Sequence, residues 1–262
     1  MHFGSNICLS GNFCDWKFGI SPFIFNMNQL IRFNFMKINF ICYCLRLFII
    51  AILTTTAFST LAKGKYKGRA WNDTIQQIPG KIQCEFYDLG GEGVAYHDTD
   101  SINNGSGMLN PSDGQFLNEF RKGEGVDISY TKFRNPPIDN NSFNVVEPIM
   151  NQLYVGWTVP GEWINYMVKV NKTGTYDVGF MYTASGDGGI LLEIDGKPIT
   201  TVLLIPSTRN DKEPVAWRQW HHWNRIEKIT QVNLIEGIRI LTLKTVRNGN
   251  MNYDYLDFKL IN

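Results

Sequence analysis

Beyond residue 160 the chain alternates apolar and polar side chains again and again, and this pattern restricts the fold more than any other feature. Ile164, Tyr166, Val168 and Val170 alternate with Asn165, Met167 and Lys169. Tyr176, Val178, Phe180 and Tyr182 alternate with Asp177, Gly179 and Met181, and Ile190, Leu192 and Ile194 with Leu191, Glu193 and Asp195. Near the C-terminus Leu256, Phe258 and Leu260 alternate with Asp257 and Lys259. Successive side chains of a strand point to opposite faces, so a period of two marks strands buried on one face only. Lys172-Thr173-Gly174 and Asp195-Gly196 read as hairpin turns between them. No stretch after residue 80 carries a long amphipathic helical pattern. The expected fold is all-β, a β-sandwich or jelly roll over residues 81–262.

The N-terminal part reads differently. Residues 1–35 are rich in Phe, Ile and Asn without periodicity and are expected to be an unstructured upstream extension, with Met36 the true start. Residues 36–62 carry a basic flank, the apolar run Leu47 to Phe58 and the small residues Ser59-Thr60-Leu61-Ala62. That is the pattern of a secretory signal peptide, with cleavage expected between Ala62 and Lys63. The apolar run falls short of the ~20 residues of a membrane span. Polar residues 63–80, with Gly and Pro, are expected to form a linker. The mature protein is then expected to be secreted, periplasmic or on the cell surface, and free of the membrane.

Cys8, Cys14, Cys42 and Cys44 lie in the first 44 residues, and only Cys84 falls in the expected domain. A disulfide within the domain is thereby excluded, no cysteine–histidine spacing suggests zinc, and Cys84 is expected to be a small buried apolar residue. The net charge of +1 and the lack of any basic run argue against nucleic acid and polybasic membrane binding.

Trp157, Trp163, Trp217, Trp220 and Trp223 cluster in the second half of the chain. A flat exposed indole stacks on the C–H face of a pyranose, while neighbouring amides and carboxylates bond the hydroxyls. If Ile164 and its partners face the core, Trp163 points outward beside Asn165. Trp157 precedes the turn Thr158-Val159-Pro160-Gly161 and lies at a loop edge. Trp217, Trp220 and Trp223 follow the loop from Pro206 to Pro214, where at least one is expected at the rim and the others in packing. Between Tyr96 and Val155 the alternation fades, apart from a short strand expected at Glu124 to Ile128. A loop region of this length is usually functional or mobile.

Several segments form an ordered set. They are Ile82-Gln83-Cys84-Glu85-Phe86-Tyr87-Asp88 followed by Gly90-Gly91-Glu92-Gly93-Val94-Ala95-Tyr96-His97-Asp98, then Val155-Gly156-Trp157-Thr158 with Pro160-Gly161-Glu162-Trp163-Ile164-Asn165-Tyr166. Gly174-Thr175-Tyr176, Ala216-Trp217-Arg218-Gln219-Trp220 and Met251-Asn252-Tyr253-Asp254-Tyr255-Leu256 follow, and the set, which spans essentially all of 81–260, resembles family 6 carbohydrate-binding modules in content and order. The resemblance implies a jelly roll that binds polysaccharide or oligosaccharide without catalysis. It implies one sugar site at the loops joining the sheets, with Trp157 and Trp217 sandwiching a sugar and Asn252 bonding it. It implies a second on a sheet face at Trp163, and His97 or Asp98 at a sugar-contacting position. It further implies structural calcium held by Gln83, Glu85 and Asp254, whose hard oxygen ligands suit that ion. The segment between His97 and Trp157 is longer than in short members of the family.

Two other functions compete. Glycoside hydrolysis needs two carboxylates flanking the bond; Asp98, Asp100, Glu124, Asp127, Glu162 and Asp254 are candidates, and His221-His222 suggests acid–base or metal chemistry. Most of those acids sit at turns or strand ends, and adjacent histidines on a strand face opposite ways. No Gly-x-Ser-x-Gly, HExxH or phosphate loop occurs. Exposed aromatics also suit a protein-binding adhesion domain.

Overall fold

A computed structural model describes residues 66–261. They form two sheets. Strands β1 (Gln76–Ile78), β3 (Tyr96–His97), β6 (Trp163–Val170), β8 (Gly188–Ile194), β9 (Lys197–Pro198), β10 (Leu203–Ile205) and β12 (Gly237–Arg247) make the first. Strands β2 (Gly80–Gln83), β4 (Ile128–Tyr130), β5 (Leu153–Val155), β7 (Gly174–Ala184), β11 (Asn224–Leu234) and β13 (Met251–Leu260) make the second. From β5 to β8, and again from β10 to β13, the chain passes from one sheet to the other at every step. The arrangement is a β-sandwich of the jelly-roll kind, antiparallel except where β1 runs parallel to β6.

The alternation drives the packing. Ile164, Tyr166, Val168 and Val170 from one sheet meet Tyr176, Val178, Phe180 and Tyr182 from the other in a single buried cluster, while Asn165, Met167 and Lys169 stay outside. The hairpin at Asp195-Gly196 has both residues at positive φ (54° and 74°), as a two-residue type I′ turn requires. Cys84 is buried and unpaired.

Two boundaries move. Residues 63–80 are not simply a linker: from residue 66 the chain packs onto the sandwich. Arg69 exchanges backbone bonds with Leu89, and β1 adds to the edge of β6 with Ile78 fully buried. One buried isoleucine among polar neighbours is too weak a signal to mark a strand. The strand expected at Glu124 to Ile128 begins at Ile128 and runs to Tyr130. The extension, the signal peptide and its cleavage point lie outside the described residues. Among the described residues no helix is long and apolar enough to cross a membrane.

Strand β13 has a break in its rhythm. Its pairing with β7 shifts between Tyr253 and Tyr255, so Asp254 is the extra residue of a β-bulge. On the other edge, β5 pairs at Tyr253 and β2 begins its pairing at Tyr255, opposite Gln83. Asp254 therefore sits at the seam where the first and last strands meet.

The long insertion between β3 and β5 is held by polar contacts rather than a core of its own. Asn103 Oδ1 accepts the backbone N–H of Gly105 (3.1 Å), Ser106 (2.8 Å) and Ile128 (3.0 Å). The Arg121 guanidinium lies 3.3 Å from the Tyr87 ring centre and donates to Asp88 O at 2.8 Å. Arg121 ties the insertion to the Tyr87-Asp88 segment, and Arg218 and His221 of the β10–β11 loop tie it, through Pro137 O and Asp139, to the end of the sandwich where the inter-sheet loops gather.

Candidate binding cleft

At that end a cleft of about 600 Å³ opens, within the usual size range of ligand pockets. Trp157 enters from the β5–β6 loop, Trp217 and Trp220 from the β10–β11 loop, and Asn250 from the β12–β13 loop. The insertion supplies Leu109, Ser129, Lys132, Pro136 and Ile138, and so walls the cleft without closing it. Trp217 is 57% exposed, a large apolar surface left in water. Trp223, by contrast, is fully buried against Tyr154.

Trp157 is held in an unusual way. Its φ of 46° lies in the left-handed region, which bulky residues rarely adopt. The neighbouring bonds over-determine it. Its N–H donates to Asn252 Oδ1 (3.1 Å), Thr158 N–H donates to Met251 O (3.1 Å), and Gly249 packs so closely that an added Cβ would lie 2.2 Å from Thr158 O. Strain of this kind, of order 1–3 kcal/mol, persists only where surroundings fix it, and it gathers at binding sites.

Asn252 does not contact the cleft. It is fully buried, and its Nδ2 donates to Thr183 Oγ1 (2.9 Å) and His221 Nδ1 (3.0 Å). The expectation that it bonds a sugar gives way to a positioning role behind Trp157. Asn250, two residues earlier and exposed, is the amide that lines the cleft.

The network continues inward. Asn252 Nδ2 donates to His221 Nδ1, and on the far side of the ring His221 Nε2–H donates to Asp139 Oδ1 (2.7 Å). Trp223 Nε1 donates to the same oxygen (2.6 Å), and Lys132 N–H donates to Asp139 Oδ2 (2.6 Å). Burial works to raise the Asp139 carboxyl, but the imidazole and these bonds outweigh it and hold its pKa below the usual value. A depressed carboxylate adds stability above its unfolded pKa, lost as pH falls through the folded one. Asp139→Ala strands two buried donors and is expected to cost about 3–5 kcal/mol. Urea denaturation checks this, and a loss below about 1 kcal/mol would refute the network's structural role.

Trp163, His97 and Asp98 come together elsewhere, on the outer face of β6. The His97 ring lies 6.3 Å from the Trp163 ring, and its Nδ1 is 2.6 Å from Glu92 Oε1. The hollow beside them measures about 10 Å³, room for one water. Burial, then Glu162, Asp127 and Asp100, push the Asp98 carboxyl up to about 7 against a bond from Asp100 N–H. Burial pushes Asp127 up to about 6. Glu162 caps its own turn by accepting Val159 N–H (2.7 Å) and Thr99 Oγ1–H (2.8 Å). Glu124 bonds Tyr87 and Arg121. None of the candidate catalytic acids lines the cleft.

Gln83, Glu85 and Asp254 lie along the β2–β13 junction, where Gln83 pairs with Tyr255 and the Asp254 charge acts on Glu85. Gln83 Oε1, Glu85 Oε2 and Asp254 Oδ1 are each buried without a hydrogen-bond partner among the described residues. Burial pushes Asp254 up to about 7 and Glu85 well above the carboxylate range, and each carboxyl is buried to 2% exposure or less. Among the described residues no three His, Cys, Asp or Glu side chains gather as a metal-binding group, so an ion here has to recruit the Gln83 amide oxygen. Three orphaned oxygens of hard-donor type fit calcium chemistry.

Lys132, Trp220 and Asn250 were not singled out by sequence for this cleft. Trp220 was one of a cluster with no marker of which ring is exposed, and Lys132 stands in a segment with no period. No protein-family profile and no curated protein matches the chain. Among solved structures the chain is similar to a carbohydrate-binding module of Cellvibrio mixtus lichenase 5A, solved with cellotriose, at 22% identity over 42% of this chain and 79% of that one, TM-score 0.34. It is similar to a family 35 carbohydrate-binding module from Clostridium thermocellum at 19% identity over 46% and 86%, TM-score 0.34. It is also similar to a family 6 module from Clostridium stercorarium, solved with cellobiose, at 13% identity over 72% and 98%, TM-score 0.41.

Proposed function

We propose that this protein binds a polysaccharide or oligosaccharide without cleaving it, in the cleft at the loop end of the sandwich. One observation carries the reading: three indoles from two distant loops line a single 600 Å³ cleft, one of them 57% exposed. Sugars present C–H faces and hydroxyls together, and the cleft offers indoles beside the exposed Asn250 amide. Hydrolysis is disfavoured because no carboxylate lines the cleft among the described residues, whereas both common hydrolytic mechanisms need two. Incubation with a panel of immobilised polysaccharides, paired with a reducing-end assay, tests this. Retention on at least one glycan with no product release is expected, and release of sugar would overturn the non-catalytic assignment.

Calcium enters the proposal as a structural ion. Gln83, Glu85 and Asp254 would hold it at the seam of first and last strands, where it would remove the cost of two buried carboxylates. A protein-binding role draws on other exposed side chains, Ile102, Met108 and Phe116 of the insertion, and it gains if no glycan is retained.

A further inference from the structure

Among the described residues lining the cleft Lys132 is the one Lys or Arg, and no Asp or Glu is present. Its ammonium group sits 4.0 Å from the Tyr130 ring centre. It donates to Asn110 Oδ1 (2.8 Å), Ser129 Oγ (3.1 Å) and, at longer reach, Tyr130 O (3.4 Å). All three acceptors are neutral, and no carboxylate among the described residues lies within ion-pair distance of it. The nearby acid is Asp139, whose oxygens already take the Lys132 N–H, the Trp223 indole and the His221 imidazole. A partly buried ammonium is thus solvated by dipoles but not neutralised. Burial pulls its pKa down to about 8, against the attraction of Asp139.

Such a site distinguishes ligands by charge. A neutral sugar gives the ammonium hydroxyls that do no more than the water they displace. An anion gives a charge-assisted bond in a partly desolvated setting, where it is worth more than in bulk water. The long contact to Tyr130 O is the one such a ligand replaces at least cost. Lysine is a compact point charge, so carboxylate and sulfate are both accepted. We infer that the cleft takes an acidic glycan, carrying a carboxylate or a sulfate ester, with Lys132 Nζ pairing the anion while Trp157 and Trp217 hold the sugar rings. The inference rests on the carbohydrate reading of the cleft and adds the class of sugar.

Calorimetric titration of the protein with oligogalacturonate, a sulfated galactan oligosaccharide and cellohexaose tests it. One of the two acidic probes is expected to bind at least about tenfold tighter than cellohexaose near pH 7. Which one does so separates carboxylate from sulfate. Raising the pH to about 9.5 discharges Lys132 and is expected to remove that preference. The other groups facing Lys132 do not confuse this: Asp139 is ionised throughout, burial raises the Tyr130 and Tyr154 phenols, and the His221 ring is held between Asn252 and Asp139. Lys132→Met, of similar length without charge, is expected to bring the affinity for the favoured acidic probe down to that of the same variant for cellohexaose. Should that variant fail to fold, the two pH values in the wild-type protein decide alone. Equal affinity for all three probes, or a preference that survives both Lys132→Met and high pH, overturns the acidic-glycan assignment but not the carbohydrate reading. If none of the three binds, and the polysaccharide panel also retains nothing, both fall together.

Discussion

Trp217→Ala and Trp157→Ala are each expected to weaken glycan binding about tenfold to a hundredfold, while Trp163→Ala binds as the wild-type protein does. Removing one stacking ring costs on the order of 1–3 kcal/mol, by analogy with aromatics that stack nucleobases. Trp217 is the cleaner test, because it is more than half exposed on a single 3₁₀ turn and its loss leaves the core intact. Trp157→Ala keeps the N–H that bonds Asn252, so the loop's anchor survives. Trp163 stands beside His97 at a hollow of only about 10 Å³, so the sheet face offers no enclosed cleft like the one at the loops. Circular dichroism confirms that each variant folds. If the two cleft variants bind normally and Trp163→Ala does not, the sheet face is the site. If all three bind normally, the indoles are not the platform and the stacking argument is wrong.

The strands were legible because their information is local. Every second residue of β6 from Ile164 to Val170 is buried, as the alternation requires, and Asp195-Gly196 encodes its own turn. Strand β13 is the instructive exception. Leu256 and Phe258 follow the rhythm, but the bulge at Asp254 shifts its phase, so Tyr253 joins the main core and Tyr255 a second cluster on the other side. Nothing in Tyr253-Asp254-Tyr255 announces a bulge, since it depends on how β2 and β5 share one edge.

The site was legible only in part, for a related reason. The indoles stood out by residue type, but the walls of the cleft come from an insertion pinned by long-range bonds, from Ile128 N–H to Asn103 and from Arg121 to Asp88. No periodicity reports such bonds, so Lys132, Pro136 and Ile138 were invisible as a wall. Asn250 and Asn252 show the limit most sharply. The two are chemically identical and two residues apart, yet Asn250 at φ 65° lies exposed at the cleft and Asn252 lies buried behind it. Segment resemblance identified Asn252, and only the fold reveals that its amide is committed to Trp157, Thr183 and His221.

Calcium added to chelated protein is expected to raise the melting temperature by roughly 5–10 °C at saturating concentration. An ion present at about a hundredfold its dissociation constant stabilises by about 2.7 kcal/mol. A domain near this size gains about 2–4 °C per kcal/mol. The physical motive is the trio of orphaned oxygens, Gln83 Oε1, Glu85 Oε2 and Asp254 Oδ1, at the junction of β2 and β13. Burial disfavours the charged form of both carboxyls, with Lys81 a partial offset at Asp254, and a cation between them converts that cost into coordination. Magnesium demands a near-ideal octahedron and sheds water reluctantly, so its effect is expected to be smaller. Asp254→Asn separates the ion from mere folding. It keeps the side chain's shape and removes one buried charge, so the metal-free variant is expected to melt no lower than metal-free wild type. Its response to calcium is expected to be largely lost. A wild-type protein that melts at the same temperature with and without calcium refutes the site. A calcium response that survives in both Asp254→Asn and Glu85→Gln places the ion elsewhere in the molecule.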